Sequence, residues 1–577
     1  MKMEQVLNEQ KYSKRLAINF IWNKVKDDLD LIKQFETVAE AKAVLVALLE
    51  VRSEVHVQNF ITRISSLLGY DNSKAPIKGT SIMEKYSQTG LYELIKYPSG
   101  NVMIKPSIKL DYDSYHIINQ YGVLPPMVVK PVDWYLDDNN QWHGGYLSIK
   151  HNPILGKHNM HHNTIAVDAL NKLQSIAWKL DTFTLFNFSD KAVYDSKQDI
   201  EIAIEMLDKP FYFMWQFDKR GRMYSKGYNI NLQSTEYRKA LLDFASEEYL
   251  NEGGVGALLC HIANVAGYDK LTWNEREAKG KELVAPYVGL EDIEIDLEGI
   301  DKPIMFTKAV RAYLDHLEGK PVSIPTFWDS TSSGVQIMGA VTGCRDTATK
   351  TNLINTGKRE DLYTYIADLM NNQLDESNKV DRATVKKPTM THWYSSKATP
   401  KRLFNPEQLE AFYSALSTGL QGAEEFMEAV SSVWSDKDTY IITAPDGHTA
   451  YIPIYTKDVV EVELDEDTKF TYEYNVHRPS GSSLHLVANV THLLDAYVAR
   501  EVVRRCDFEV GTIHDDFACH PNNAWELQIV YREILADLAD SNVLSNILTQ
   551  LAGYPVEFEK LSNDLSSDIL ASQYALS

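Results

Sequence analysis

The stretch Ile324-Pro-Thr-Phe-Trp-Asp329-Ser-Thr-Ser-Ser333-Gly334-Val335-Gln336 reads as an apolar, β-prone run that delivers an aspartate to a Ser/Gly turn. A carboxylate at a strand end sits on a rigid edge beside free backbone carbonyls, so Asp329 is a candidate ligand for a hard metal ion. The competing reading is an aspartate that caps the helix after it. Further along, Phe508-Glu-Val510-Gly-Thr512-Ile513-His514-Asp515-Asp516-Phe517-Ala-Cys519 reads as strand, tight turn, strand, with His514-Asp515 at the apex. Such a tip can present a second carboxylate opposite the first, although an ordinary Asp-rich turn has the same pattern.

Between them, Arg382, Lys386, Met390 and Tyr394 succeed one another at spacing four and so share one helical stripe. Two cations a turn apart suit a triphosphate, and an aromatic hydroxyl further along suits the attached sugar or base. An exposed basic helix face is the alternative. Pro388 is expected to kink this helix or to confine its regular part to the residues after the proline. Taken together, two strand-end aspartates and an intervening cationic helix are what two-metal nucleotidyl transfer requires.

With 577 residues, 44% of them hydrophobic, the chain is long enough for three or four domain-sized units, which excludes a peptide hormone or a small binding module. The formal net charge of −22 argues against coating nucleic acid by bulk positive charge. Charge is nevertheless focused: Lys379, Arg382, Lys386, Lys387, Lys397, Lys401 and Arg402 stand close together with Asp381 as the single acid among them. Cys260, Cys344, Cys506 and Cys519 lie far apart, so neither a disulfide framework nor a cysteine zinc site is indicated, and a reducing, cytoplasmic setting is expected. Residues 43–49 are apolar but too few to span a bilayer, so no membrane partner is expected. Apolar residues recur at helical spacing from Glu4 to about Leu68 and again from Thr164 to Leu185, whereas Lys209 to Tyr224 looks strand-like.

The chemistry-bearing motifs resemble those of the bacteriophage-type single-subunit DNA-dependent RNA polymerases, a family that includes the mitochondrial enzymes. Asp329 with Ser333-Gly334-Val335-Gln336 is similar to the family's first motif. Arg382, Lys386, Met390-Thr391 and Tyr394 match its second, with Ser395 where glycine is usual. The third, His-Asp-Ser-Phe, is seen as His514-Asp515-Asp516-Phe517, with Asp516 replacing the serine. Asp218-Lys-Arg220-Gly221-Arg222-Met-Tyr224, the Ala263 to Lys270 stretch with Glu275-Arg276, Asn489-Val-Thr-His492-Leu-Leu-Asp495, a helix through Ala177-Trp178-Lys179 and the segment Asp568 to Ser577 also look like family segments.

This resemblance implies a helix-rich α+β fold of right-hand type: a small helical N-terminal domain over 1–120, a thumb or connecting helical region over 121–215, palm over 216–345, fingers and specificity-loop region over 346–485, and palm with C-terminal foot over 486–577. It implies DNA-dependent RNA synthesis, expected for bacteriophage genes in a host cytoplasm, with a DNA template, RNA product and ribonucleoside triphosphates as partners. By the same carry-over, Asp329, Asp515 and the Ser330 carbonyl hold two Mg²⁺ ions, while Lys386 neutralises or protonates the leaving pyrophosphate. Arg382 and Lys270 bind the triphosphate, Tyr394 and His492 select ribose, Tyr363 lies near the nucleotide, and Arg220 and Arg222 position template or hybrid. A family A-like DNA polymerase is the nearest alternative, but residues 329–338 lack the glutamate that blocks a ribose hydroxyl there. An inactive polymerase fold serving as a DNA-binding subunit is the other. The region Thr449 to Ser483 stands where the family has its promoter-specificity hairpin and carries the acidic run from Glu461. Weak action on intact duplex is therefore expected, with a need for melted DNA or for a single-strand-binding or promoter-opening accessory protein.

Overall fold

The computed structural model describes residues 2–11, 14–71, 74–112, 114, 118, 124–147, 154–155, 161–188, 196–207, 209–227, 230–290, 294–393, 398–465 and 468–577. Helices dominate and the sheets are small and antiparallel, an α+β architecture. Two compact units emerge, one from residues 3–125 with 454–480 and a larger one from 126–453 with 481–577 and the first two residues. No helix among the described residues is long and apolar enough to cross a membrane.

In the smaller unit, the helix Val38–Leu49 starts where Thr37 accepts the Glu40 N–H, and it buries Ala41 and every residue from Ala43 to Leu49. Its partner Val57–Leu67 turns Phe60, Ile61 and Ile64 onto the same core. The expected helical reading of residues 4–68 holds apart from the short strand Val55–His56, which edges a three-stranded sheet with Val102–Pro106 in the middle and Tyr92–Lys96 outside. A long hairpin, Tyr455–Asp465 with Thr468–His477, belongs to this unit. Because strand side chains alternate, one face sends Val462, Phe470 and Tyr472 into the core while the other exposes Glu461 and Glu463. The helix side binds this hairpin directly. Gln58 donates from Nε2 to the Glu473 carbonyl at 2.8 Å and accepts the Glu473 N–H at 3.2 Å, and Thr62 shares a 2.8 Å hydrogen bond with the Tyr472 hydroxyl.

In the larger unit, the helical period over 164–185 proves misleading. The chain forms the helix Val167–Gln174, then the strand Trp178–Leu180, then the helix Thr182–Asn187, so Ala177-Trp178-Lys179 is not helical. Pairing with Leu242–Phe244 buries Trp178 against Phe244, and that burial outweighs the local pattern. Within 209–224 the strand-like reading holds in part: Phe211 and Tyr212 form single β-bridges with Trp178 and Met127, and the strand Trp215–Phe217 pairs with Met223–Ser225.

The elements around the candidate site are the strands β1 (Thr326–Asp329), β2 (Val510–Ile513) and β3 (Asp516–Cys519), and the helices α1 (Glu236–Ala240), α2 (Ser333–Thr342), α3 (Leu362–Asn371), α4 (Arg382–His392), α5 (Leu484–Arg505) and α6 (Ala524–Asp540). The strands form one antiparallel sheet in the order β1-β3-β2. Every residue of α2 is buried, as an apolar helix without a polar face requires, and it packs against α5 and α6. Each large apolar side chain so buried contributes roughly 1.5–3 kcal/mol, which anchors the start of α2 beside Asp329.

Candidate active site

Asp329 ends β1 directly opposite Asp516 on β3, and β3 is joined to β2 by the two-residue turn His514-Asp515. His514 takes φ +60°, the left-handed conformation that lets a two-residue turn match the twist of its strands. The loop after β1 is stapled to this tip: the Ser330 N–H donates to the Asp515 carbonyl at 3.0 Å, and Ser330 Oγ donates to Asp515 Oδ2 at 3.1 Å. Asp329 does not cap α2, whose first turn has no side-chain cap and comes after a left-handed Ser332. Residues 574–577 secure the same loop, with Ser577 N–H on the Asp329 carbonyl at 2.9 Å and Thr331 Oγ1 on the Tyr574 carbonyl at 2.8 Å. Gln336 Nε2 donates to the Ala575 carbonyl at 2.8 Å, while its Oε1 accepts from the Tyr531 hydroxyl at 2.8 Å.

The Asp329 carboxylate opens onto a cavity but is hemmed in by protein on its other sides. That confinement, with Asp515 and Asp516 beside it, pushes its pKa well above the usual carboxylate range. Asp516 is likewise raised by burial, opposed by Lys239 on α1, whose ammonium lies 3.3 Å away. Crowded hard oxygen donors of this kind favour a divalent cation over protons. No cluster of three side-chain metal ligands gathers among the described residues. A Mg²⁺ site fits that set, because this ion is commonly held by one or two carboxylates and completed by water and substrate phosphates. The Ser330 carbonyl accepts the Ser332 N–H at 3.0 Å and keeps a second lone pair.

A cavity of about 250 Å³ joins Asp329 and Asp515 to Lys270, Tyr363, Arg382 and Lys386. Asp361 organises this wall: its Oδ1 caps α3 by accepting the Tyr363 N–H at 3.0 Å, and its Oδ2 accepts from Arg382 Nε at 2.5 Å. Burial raises the Asp361 pKa, but the Arg382 hydrogen bond and charge outweigh it and hold the group below the ordinary range. Arg382 and Lys386 flank the Tyr363 ring, at 5.5 and 5.8 Å from its centre. Lys270 pairs with Asp269 at 2.7 Å, and burial, then the nearby Arg359, lowers its pKa. Regular structure in α4 lies on both sides of Pro388, since Arg382–His392 is one helix whose cap, Asp381, accepts the Thr384 N–H. Tyr394 and Ser395 lie outside the described residues.

His492, Arg220 and Arg222 are not in that cavity wall but form an adjoining group. Arg222 donates to Asp495 Oδ2 from Nη2 at 2.7 Å and from Nε at 3.2 Å, and Arg220 Nη1 lies 2.5 Å from His492 Nδ1. His492 and Asp495 are three apart on α5 and so face the same way. His514, next to Asp515 in the turn, packs edge-on against Tyr224 and shares a 3.2 Å hydrogen bond with Gln233 Nε2. Behind it stands a network that sequence reasoning missed. Buried Arg500 donates to Asp446 Oδ2 at 2.6 Å and to the Gly221 carbonyl at 2.8 Å, and Arg504 joins Asp446 to Asp168. Gly221 has φ +86°, and a Cβ there would meet Arg500 and His448 within 2.8 Å, so glycine alone fits this turn. A single arginine on a helix carries no local signal of such a partner.

A family model described as DNA-dependent RNA polymerase matches residues 248–441, which include Asp329 and the α4 cations. A probable DNA-directed RNA polymerase of Agaricus bitorquis is 28% identical over 218 residues, covering 34% of this chain and 20% of that protein. Another, of Neurospora crassa, is 25% identical over 414 residues, 59% of this chain and 46% of its own length. The mitochondrial DNA-directed RNA polymerase of Neurospora crassa is 25% identical over 256 residues, 39% of this chain and 17% of its own. The matches therefore span less than half the length of each of these relatives, none of which is described as a bacteriophage protein. Over the matched residues the chain is thus similar to DNA-dependent RNA polymerases, the mitochondrial enzyme of Neurospora crassa among them.

Proposed function

We propose that this chain is itself a DNA-dependent RNA polymerase that joins ribonucleoside triphosphates along a DNA template by two-metal nucleotidyl transfer. The observation that carries the reading is the pair of carboxylates Asp329 and Asp515 facing a cavity walled by Lys270, Arg382 and Lys386. Asp329 and Asp515, with the Ser330 carbonyl, are the residues to hold Mg²⁺. When bound, two such ions activate the RNA 3′ hydroxyl and stabilise the charge of the leaving pyrophosphate.

The protein's own part is positioning and charge. Arg382, held by Asp361, and Lys386 bind the triphosphate from one helix face, with Lys270 across the cavity; Lys386 neutralises or protonates the pyrophosphate. Tyr363 floors the nucleotide site, and Tyr394 with His492 selects ribose. On this reading residues 216–345 and 486–577 make the palm, 346–485 the fingers, 121–215 the thumb region and 1–120 the N-terminal domain. The template is DNA that is single-stranded, premelted or opened by an accessory protein, a reading supported by the acidic run from Glu461 in the Tyr455–His477 hairpin, only part of which Lys469 answers by pairing with Glu461 and Glu463.

Transcription by the purified chain on matched single-stranded, premelted and linear duplex templates tests this, with ribo- and deoxyribonucleotides offered in parallel. RNA made from the open templates and little from the duplex is expected. Deoxyribonucleotide preference, or no extension of a primed template, refutes the reading, and RNA 5′ ends mapped in the source cell identify whether the template is a phage or an organellar genome.

A further inference from the structure

Among the described residues, four cations line the cavity that joins Asp329 and Asp515: Lys270, Arg359, Arg382 and Lys386. Two of them are already answered by acids, since Lys270 lies 2.7 Å from Asp269 and Arg382 Nε lies 2.5 Å from Asp361 Oδ2. The other two make no ion pair among the described residues: Lys386 stands over the Tyr363 ring, and Arg359 bonds a serine. None of the sequence motifs includes Arg359.

Arg359 stands on the loop ahead of α3, and that loop is braced. Asn352 grips the next residue twice, its Oδ1 accepting the Glu360 N–H at 2.7 Å and its Nδ2 donating to the Glu360 carbonyl at 3.0 Å. At its root the guanidinium donates from Nε to Ser577 Oγ at 3.1 Å, and the Ser577 N–H holds the Asp329 carbonyl at 2.9 Å. The base of the fork is therefore tied through one residue to the end of β1. Both Nη groups remain: among the described residues neither has a hydrogen-bond partner, and neither is sealed from solvent. Burial lowers the Arg359 pKa, and the charges of Asp269, Asp361 and Asp329 oppose that shift although none of them pairs with it.

We infer that Arg359 binds the terminal β and γ phosphates of the incoming nucleoside triphosphate through its two Nη groups, sharing their charge with Lys386. This rests on the polymerase reading above, in which the α-phosphate reacts at the ions held by Asp329 and Asp515. The terminal phosphates, which carry most of the triphosphate's charge, then fall to the cations of the cavity wall. A cation that already holds a carboxylate has to share its donors, whereas a guanidinium fixed at Nε with both Nη open presents the planar fork that takes two phosphate oxygens. The competing role is a counter-charge for Asp269, Asp361 and Asp329. A residue of that kind affects folding stability, and affects bound nucleotides alike whatever their number of phosphates.

The test is equilibrium binding of ATP, ADP and AMP to the full chain with Mg²⁺, on an RNA primer and DNA template whose primer ends in a 3′-deoxynucleotide so that no turnover occurs. Loss of charge-assisted hydrogen bonds predicts that Arg359→Ala binds ATP about ten- to hundredfold more weakly while AMP changes by less than about twofold. ADP falls between them. Arg359→Lys keeps the charge but not the fork, so its ATP affinity lies between those of the parent and Arg359→Ala. With an extendable primer the same change reads as a raised KM with kcat lowered less, and inorganic pyrophosphate inhibits Arg359→Ala less than the parent. Equal losses for ATP and AMP, an unchanged ATP affinity, or a parent that holds ATP no more tightly than AMP overturns the inference. Should thermal melting show Arg359→Ala unfolded, Arg359→Lys carries the test: its ratio of ATP to AMP affinity falls, and an unchanged ratio overturns the inference. A parent whose preference for ATP depends on Arg359 but which adds no ribonucleotide to the extendable primer refutes the polymerase reading and leaves the phosphate contact standing.

Discussion

Asp329 stands directly opposite Asp516 in the antiparallel register of β1 and β3, and Lys239 meets Asp516 at 3.3 Å. Residues paired in this way project to the same face of the sheet, so Asp516 adds a third carboxylate beside Asp329 and Asp515. The resemblance leads one to expect serine at position 516. The acid is tolerated because α1 supplies a lysine to answer it.

That pairing sets up a double-mutant cycle. Lys239→Ala leaves the Asp516 charge unanswered beside Asp329 and is expected to lower stability by about 1 kcal/mol, modest because both side chains are about a fifth exposed. In an Asp516→Ser background the same change should cost much less. Urea denaturation of the four proteins measures the coupling, expected near 0.5–1 kcal/mol, and additive effects contradict the pairing.

Asp515→Asn keeps the shape of the turn while removing one of the two carboxylates proposed to hold the metal ions. RNA extension is expected to fall by about a thousandfold or more, the worth of several kcal/mol of charge stabilisation, with primer-template affinity changed only a few-fold. Burst kinetics and a fluorescence anisotropy titration separate the two. Near-normal extension contradicts the role given to this residue.

Acid should destabilise the larger unit from about pH 6.5 downward. His261 is fully buried with neither ring nitrogen hydrogen-bonded among the described residues, and burial, then Lys302 and Lys308, bring its pKa down to about 3. Below about pH 6.5 the unfolded chain takes up a proton here that the folded chain does not, so stability falls with decreasing pH until about pH 3. Each such histidine contributes up to about 1.4 kcal/mol per pH unit. In chemical denaturation from pH 7 to 5, His261→Leu is expected to show a slope shallower by about one proton. An unaltered slope means that His261 is protonated in the native state.

The long hairpin should behave as part of the smaller unit's core. Phe470 is 6% exposed and packs with Val462 and Tyr472, so Phe470→Ala is expected to cost about 3–5 kcal/mol. Gln58→Ala, which removes both bonds to Glu473, should cost about 1–2 kcal/mol. Hydrogen exchange coupled to proteolysis checks this: peptides from Val57–Leu67 and from Thr468–His477 should lose protection together in Phe470→Ala. Loss confined to the hairpin contradicts a shared core.

Much of the site was legible in local sequence because its signals are local. Strand, turn and helix around Asp329 come from an apolar β-prone run meeting Ser and Gly, the His514-Asp515 tip from two short strands around a turn, and the α4 stripe from spacing four. Where burial competes with periodicity, sequence reading fails: Trp178 sits in a helical pattern yet becomes a strand residue because its indole packs against Phe244. Of the two outcomes expected of Pro388, confinement of the regular helix to the residues after it is not seen, since Arg382–His392 is helical on both sides of the proline.

The sequence by itself determined which chemical groups this protein has and which local frames carry them: two strand-end aspartates, a helix with two cations on one face, and charge focused within an acidic chain. Only the tertiary structure decided their partners. Lys239 answers Asp516 from 277 residues away, Arg500 grips a turn 279 residues before it, Gln58 binds a strand 415 residues later, and Arg220 meets a histidine, His492, 272 residues further on. The reason is physical: conformational propensity acts over a turn or two of chain, whereas a buried donor or charge must be satisfied by whatever group packing brings within about 3 Å of it.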